Sequence, residues 1–293
     1  MVRQPSVAER LHEVLNALTP TERRAATSLL GNYPVAGLES ITQFARRAGV
    51  SGATILRLLG KLGFAGYPDF QEALRDELAA RLQSPLGRWE DAQRRPAAGA
   101  EPDFLSGFAD RIVANVRQTF QQLPRADFER VVTLLCQDRR DVHVIGGRFT
   151  ARIADYLFVH LRAVRPGVQL VAGQSATWPD QLLAVRKNDT VVAFDVRRYQ
   201  PDVATFCERA VERGARVVLL TDAWNSPIAA CAAEVVLAHT ESSGGWDSLA
   251  ALLAVVEALI AATSARLGDR LTERMRTLEA LRRGWQGPLD PGD

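Results

Sequence analysis

The chain has 293 residues, of which 47% are hydrophobic, enough to bury a sizeable core. This length exceeds that of a usual single domain, so two domains are expected. Because 36 Lys and Arg residues nearly balance 34 Asp and Glu residues, the net charge of +2 excludes a surface that binds polyanions everywhere. Any nucleic-acid interface must therefore come from a local cluster of basic residues.

The cysteines and the termini predict a soluble, cytoplasmic protein. Cys136, Cys207 and Cys231 are odd in number and widely spaced, so neither a disulfide framework nor a metal site is expected. The N-terminus lacks the apolar stretch of a signal peptide, and the most apolar run, residues 248–262, is too short to span a membrane and contains Glu257. We expect no cofactor, no metal and no membrane partner.

The N-terminal part has a purely helical pattern. Residues 1–82 space their apolar side chains as helices do, which predicts a small all-α domain. Residues 83–102 mix Pro, Gly, Ala and charged residues without an apolar face, as an exposed linker does. Residues 103–285 are expected to form the second domain, which begins with two amphipathic helices.

Short β-branched runs appear in the second domain. They cover residues 142–145, 168–171, 190–194, 216–220 and 234–238. Because helix-length segments separate the later runs, the pattern predicts βαβ units and an α/β, doubly wound parallel sheet with helices on both faces. Two amphipathic helices, near residues 248–267 and 269–283, are expected to pack on this sheet or on another subunit.

One stretch of the N-terminal domain, residues 41–68, contains basic residues and no Asp or Glu. Residues 41–48 have helical spacing, Gly49 suits a tight turn, and Ser51 is placed to cap a second helix over residues 52–62. A helix, a short turn and a second helix are typical of the helix-turn-helix motif.

The second helix of this motif has two different faces. Its apolar face carries Ile55, Leu58, Leu59 and Leu62, and the opposite face carries Thr54, Arg57 and Lys61. A basic surface binds DNA because each neutralised phosphate releases counterions. The candidate DNA contacts are therefore Arg46, Arg47, Ser51, Thr54, Arg57 and Lys61. The alternative is a helical bundle whose basic face is merely solvated.

Ligands of doubly wound sheets bind beyond the carboxyl ends of the strands, where the strand order reverses. Three loops at such positions read GGRFT (146–150), FDVRRYQPD (194–202) and TDAWNSP (221–227). The first is not a dinucleotide fingerprint, but its glycines allow close approach of the backbone to an anion at a helix start. The candidate ligand-binding residues are Gly146, Gly147, Arg148, Thr150, Asp195, Arg197, Arg198, Asn225 and Ser226. The alternative is that all three are ordinary loops.

Three motifs carry a resemblance to a known family. LTPTER (18–23), GVSGATILR (49–57) and KLGFAGYPDF (61–70), in this order and spacing, resemble the N-terminal domain of the MurR/RpiR family of bacterial transcriptional regulators. The resemblance implies a recognition helix over residues 52–62, a double-stranded operator DNA as partner, and a C-terminal sugar isomerase (SIS) domain that binds phosphosugars. It also implies a homo-oligomer, either a dimer or a tetramer. Gly52 departs from the family, in which a longer polar side chain is common.

The loop after the third strand departs from the SIS pattern. SIS domains resemble one another in an S-x-S-G-x-T loop that holds the sugar phosphate. Here Asp195 and Arg197 stand in place of the two serines, and Arg198 stands in place of the glycine. Arginine suits carboxylate or phosphate, so we expect a small anionic effector such as a phosphosugar, a sugar acid or a similar metabolite. The alternative is that Asp195 pairs with one of these arginines in a domain that has lost its ligand.

An enzyme of the SIS type is the alternative function. A sugar-phosphate isomerase needs a Glu or His base within hydrogen-bond reach of its substrate, and His239 and Glu241 are the candidates. Such an enzyme has no need of a helix-turn-helix domain, and no catalytic residues are assigned. The sequence therefore predicts a ligand-responsive, DNA-binding transcriptional regulator.

Overall fold

The computed structural model describes residues 6–31, 33–82, 86, 87, 89, 90, 103–224, 226–242 and 246–283. Within these ranges the helices are α1 (Val7–Val14), α2 (Pro20–Leu30), α3 (Val35–Leu38), α4 (Ile41–Ala48), α5 (Gly52–Lys61), α6 (Tyr67–Leu82), α7 (Phe104–Gln122), α8 (Arg125–Leu135), α9 (Ala151–Val164), α10 (Trp178–Leu182), α11 (Pro201–Glu212), α12 (Ala250–Leu267) and α13 (Asp269–Arg283). The strands are β1 (Val142–Gly146), β2 (Val168–Leu170), β3 (Thr190–Asp195), β4 (Arg216–Asp222) and β5 (Glu234–Ala238). Most of the predicted linker 83–102 lies outside the described residues.

Local capping signals set the helix-turn-helix. Ser40 begins α4 with a capping box to Gln43, since each side chain bonds the other residue's backbone N–H. Gly49 ends α4 at φ +63°, in the left-handed region that favours glycine, and the chain turns there into α5. Ser51 then caps α5 by accepting a hydrogen bond from Thr54 N. The predicted helix, turn and helix are confirmed.

An ion pair fastens α5 to α2. Glu22 of α2 is buried, with its side chain 4% exposed, and Lys61 Nζ lies 2.7 Å from its Oε2. Thr19 N and Thr19 Oγ1 donate to the same carboxylate at 2.9 Å. The hydrogen bond from Lys61, with those from Thr19, lowers the pKa of Glu22 to about 2. Lys61 therefore acts as a structural partner of Glu22.

The C-terminal domain is built on one five-stranded parallel sheet in the order β2-β1-β3-β4-β5. All five predicted strands are present, and the doubly wound α/β fold is confirmed. Val192 and Phe194 of β3 face a core shared with α8, α9 and α12, and Val191 and Ala193 face a core shared with α10 and α11. The strand order reverses at β1, so the carboxyl ends of β1 and β3 form the expected ligand crevice.

Helix α12 is longer than the apolar run read from the sequence. It has 18 residues, and by length and composition alone it could cross a membrane. The helix thus extends beyond the apolar run of residues 248–262, which was the basis for expecting no membrane span. Leu252, Val255, Val256 and Leu259 are buried in the core beside the sheet, the position of a core helix of this domain.

The Glu22–Lys61 pair predicts a pH-dependent loss of stability. Lys61→Ala leaves a buried carboxylate without its main donor, and we expect the free energy of unfolding at pH 7 to fall by about 1–2 kcal/mol. Because the folded pKa of Glu22 lies below its ordinary value of 4.5, the pair stabilises the fold above pH 4.5, and its contribution is lost as the pH falls towards 2.

Urea unfolding at several pH values measures this difference. Arg57→Ala, which removes an exposed basic side chain from the same helix, serves as the control and should change stability little. Equal stability of Lys61→Ala and the parent at pH 7 would contradict a structural role for the ion pair.

Candidate functional site

Some of the candidate DNA contacts are exposed, whereas others are buried or paired with carboxylates of the protein. Arg46, Ser51 and Arg57 are exposed. Thr54, predicted on the polar face, is instead 4% exposed, because it lies one turn before Leu58 on the face that packs into the domain. Its hydroxyl accepts a hydrogen bond of 3.1 Å from Arg57 Nη2. The prediction that Thr54 faces outward is wrong.

Residues 41–68 contain no Asp or Glu, but two of their basic side chains pair with carboxylates from outside this stretch. Glu39 pairs with Arg47, and Glu22 pairs with Lys61. Within the described ranges, Arg46 and Arg57 take part in no ion pair. Among the candidate DNA contacts, all of which the structure describes, these two arginines are the cations without a carboxylate partner. Beside them, Leu56 is 48% exposed on the outer face of α5.

A cavity of about 290 Å³ lies beyond the carboxyl ends of β1 and β3. It is lined by Gly147, Arg148, Phe149, Thr150, Asp195, Val196, Arg197, Arg198, Gln200, Trp246, Asp247 and Leu249. Six of the nine predicted ligand residues line it: Gly147, Arg148, Thr150, Asp195, Arg197 and Arg198. The three loops chosen from the sequence contribute unequally, because residues 221–227 are absent from this described lining.

The other three predicted residues have different positions. Gly146 is not among the lining residues; a Cβ atom on it would stand 2.7 Å from Ala151 N, so only glycine fits where α9 begins close to the end of β1. Ser226 is buried and hydrogen-bonded to Asp195. Asn225 lies outside the described residues.

The first loop is tied to β3 by its own donors. Thr150 Oγ1 donates to Phe194 O at 2.7 Å and accepts from Gly147 N at 2.8 Å. Arg148 N donates to Gln200 Oε1. The hydroxyl predicted to meet an anion is therefore engaged in holding the loop against the neighbouring strand.

Asp195 ends β3 as a buried carboxylate, 1% exposed. Ser226 Oγ donates to its Oδ2 at 2.5 Å, and Gln200 N donates to its Oδ1 at 3.3 Å. The hydroxyl of Thr221, the residue that pairs with it on β4, donates to its backbone carbonyl at 2.6 Å. These bonds fix both ends of the loop that carries the arginines.

Asp222, at the end of β4, is a second buried carboxylate. It accepts hydrogen bonds from Tyr199 Oη at 2.5 Å, Arg197 N at 2.7 Å and Trp224 N at 3.1 Å. Burial raises the pKa of the Asp222 carboxyl, whereas the bonds from Tyr199 and Arg197 N act to lower it. The backbone of the arginine loop is thus held on a carboxylate beneath it.

The two arginines of this loop have constrained conformations. The guanidinium of Arg197 lies 4.9 Å from the centre of the Trp224 ring, and its Nη2 lies 3.8 Å from Asp247 Oδ1. Arg198 has φ +70°, in the left-handed region, at the position where the SIS pattern has glycine. Both arginines line the cavity, as predicted.

Sequence reasoning missed one wall of the cavity. Phe149 and Trp246 pack edge to face with ring centres 5.8 Å apart, and Asp247 and Leu249 continue the same wall. Residues 246–249 lie well beyond the end of β5, so no strand boundary pointed to them. A sequence signal that could have pointed to this wall is Trp246, a large aromatic residue in the Gly- and Ser-rich segment 241–248.

One group of possible metal ligands comes together at the opposite end of the sheet. Side-chain ligand atoms of Asp141, His143 and Asp189 lie within 4.8 Å of one another. Asp189 accepts hydrogen bonds from Asp141 N at 3.1 Å and Arg186 N at 2.8 Å. Burial lowers the pKa of His143. These bonds give the carboxylate a structural role at the starts of β1 and β3.

Two family models match the chain. The helix-turn-helix domain of the rpiR family matches residues 6–81, and the SIS domain matches residues 134–262. Among curated proteins, the chain is 28% identical over 228 residues to a "Bifunctional protein glk" of Paraburkholderia xenovorans, which covers 76% of this chain and 34% of that protein. The chain thus spans about a third of the length of the curated relatives that it matches first.

Two solved structures are similar. The sugar isomerase domain of an RpiR transcription factor from Sphaerobacter thermophilus has a TM-score of 0.57 and 26% identity, covering 60% of this chain and 98% of that one. The NanR protein of Vibrio vulnificus, in complex with ManNAc-6P, has a TM-score of 0.54 and 18% identity, covering 96% of this chain and 99% of that one. The second likeness shows a shared fold.

The expected pair of domains is therefore present in the expected order. The chain belongs to the MurR/RpiR family of transcriptional regulators and joins an RpiR-type helix-turn-helix domain to a SIS domain.

Proposed function

We propose that the protein is a DNA-binding transcriptional regulator whose SIS domain binds a small anion in the cavity beyond β1 and β3, and that this binding changes its affinity for operator DNA. The observation that carries the proposal is the cavity itself. Arg148, Arg197 and Arg198 converge there, at the reversal of strand order where doubly wound domains bind ligands. Guanidinium groups bind carboxylate or phosphate through charge-assisted hydrogen bonds.

The exposed face of α5 supports DNA binding. Ser51 and Arg57 lie on this face, and Arg46 lies on the preceding helix α4. Helix-turn-helix proteins place the second helix in the major groove while neighbouring side chains contact phosphates. We assign Arg46 and Arg57 to phosphate contacts, since Arg47 and Lys61 already have carboxylate partners. The operator and the expected homo-oligomer are part of this proposal.

A hydrogen bond joins the DNA-binding domain to the ligand loops. Ser6, just before α1, donates from Oγ to Ala223 O at 3.3 Å, and both residues are buried. Ala223 lies between Asp222, which holds Arg197 N, and Trp224, which lies against the Arg197 guanidinium. We propose this contact as the route by which a displacement of Arg197 reaches the helix-turn-helix domain.

The isomerase alternative is less well supported. His239, considered as a base, hydrogen-bonds Gln122 Oε1 through Nε2 at 2.8 Å, and its backbone N–H donates to Thr119. Both partners lie on α7, and no residue of that helix is among those that line the cavity. Two carboxylates line the cavity: Asp195 accepts hydrogen bonds from Ser226 and Gln200, and Asp247 lies 3.8 Å from Arg197 Nη2.

Replacing Arg46 and Arg57 with Ala tests the DNA surface. We expect the double variant to fold normally, to bind operator DNA more weakly, and to show a salt dependence reduced by about two counterions, one for each lost phosphate contact. Fluorescence anisotropy on a duplex selected from a random library measures both effects across a series of salt concentrations.

The matched control removes two arginines that are exposed elsewhere. Arg125 and Arg216 lie on the C-terminal domain, and their replacement with Ala makes the same change in net charge. If the control weakened DNA binding as much as Arg46→Ala with Arg57→Ala, the assigned surface would be wrong.

The backbone of Arg198 yields a stability prediction. An arginine in the left-handed region costs about 1 kcal/mol relative to glycine, and such strain persists mainly at functional sites. We expect Arg198→Gly to keep or raise the free energy of unfolding, by up to about 1 kcal/mol, and Arg198→Ala to give no such gain because it keeps a Cβ atom. Thermal unfolding of the parent protein and the two variants tests this prediction. A large destabilisation by Arg198→Gly would show that the Arg198 side chain stabilises the fold.

A further inference from the structure

The hydroxyl groups around the cavity are committed to the protein. Thr150 donates to Phe194 O, Thr221 to Asp195 O, Ser226 to Asp195 Oδ2, and Tyr199 to Asp222. The backbone N–H groups of Gly147, Arg148, Arg197 and Gln200 also have acceptors within the protein. A phosphoryl group is usually held by several donors of these two kinds. Here they hold the loops instead, and the guanidiniums provide the charged donors of the lining.

The charge of the lining suits one negative charge on the ligand. Three guanidiniums, Arg148, Arg197 and Arg198, face two carboxylates, Asp195 and Asp247, which leaves a net charge of +1. A phosphate monoester carries about −1.5 to −2 at pH 7, whereas a carboxylate carries one negative charge. A dianion would bring excess negative charge beside a buried carboxylate, and that interaction is unfavourable.

One wall of the cavity is apolar and uncovered. Phe149 is 49% exposed and Trp246 is 62% exposed, and their rings meet edge to face beside Val196 and Leu249. A ligand with an apolar body removes this surface from water, which favours binding. Arg148 lies over the Phe149 ring, 5.2 Å from its centre, so positive charge and apolar surface stand side by side.

We infer that this cavity takes a carboxylate monoanion with an apolar body of about the size of a benzene ring, in preference to a phosphosugar. The carboxylate meets Arg197 and Arg198, and the body lies against Phe149 and Trp246. The cavity volume of about 290 Å³ fits a ligand of this size. The inference rests on the proposed function, because it names the ligand class of the same site.

Isothermal titration calorimetry of the full chain with four probes separates the contributions of the ligand's charge, apolar body and phosphate group to binding. Phenylacetate has both features, phenylacetamide lacks the charge, gluconate lacks the apolar body, and glucose 6-phosphate is a phosphosugar. We expect phenylacetate to bind at least about tenfold more tightly than each of the others. Tightest binding by gluconate or glucose 6-phosphate, or no binding of phenylacetate, would overturn the inference.

Two variants place the ligand in the cavity. Arg197→Gln and Trp246→Ala should each weaken phenylacetate binding by about tenfold. Arg125→Gln and Trp89→Ala remove the same side-chain types from exposed positions elsewhere and should leave the affinity unchanged. If Arg197→Gln does not fold, Trp246→Ala still decides, because Trp246 is mostly exposed. Unchanged affinity in Trp246→Ala, or an equal loss in the controls, contradicts the placement.

Measuring operator binding with each probe present separates an error in the ligand class from an error in the proposed regulatory function. If glucose 6-phosphate binds most tightly and alters DNA affinity, the ligand class is wrong and the proposed function stands. If phenylacetate binds as expected and no probe alters DNA affinity, the ligand class stands and the regulatory function is wrong.

Discussion

The site depends on two buried carboxylates at adjacent strand ends. Asp195 and Asp222 end β3 and β4 with almost no exposed surface, and a buried charge is tolerated only when it is well hydrogen-bonded. They recruit the hydroxyls of Ser226 and Tyr199 and the backbone N–H groups of the intervening loop. The N–H groups of Arg197 and Gln200 are thereby engaged within the protein, while Arg197 and Arg198 line the cavity.

In the DNA-binding domain, too, a buried carboxylate takes hydrogen bonds from polar groups around it. Glu22 is buried between α2 and α5, and its carboxylate pairs with the ammonium of Lys61, which we therefore leave out of the proposed phosphate contacts. A basic residue on an exposed helix is therefore not automatically a DNA contact. Arg47 pairs with Glu39, just before α4, and Lys61 pairs with Glu22 of α2, so we propose Arg46 and Arg57 as the phosphate contacts.

Much of the fold could be predicted from the sequence because its signals are local. Alternating strand and helix patterns gave all five strands, and the turn at Gly49 gave the helix-turn-helix. The loops after β1 and β3 were found because topology fixes where strands end. The pairing of Lys61 with Glu22, the burial of Thr54 and the wall formed by Trp246 depend on contacts between segments far apart in sequence, which periodicity does not report.

We propose that ligand binding in the cavity and DNA binding by the helix-turn-helix domain are coupled. The most direct test is the affinity for a selected operator duplex, measured by fluorescence anisotropy with and without a saturating ligand of the cavity. Coupling free energies between sites typically correspond to changes of about 5-fold to 150-fold. We expect a change of at least about fivefold in the parent protein and none in Arg197→Gln. The same operator affinity with and without ligand in the parent protein would contradict the account.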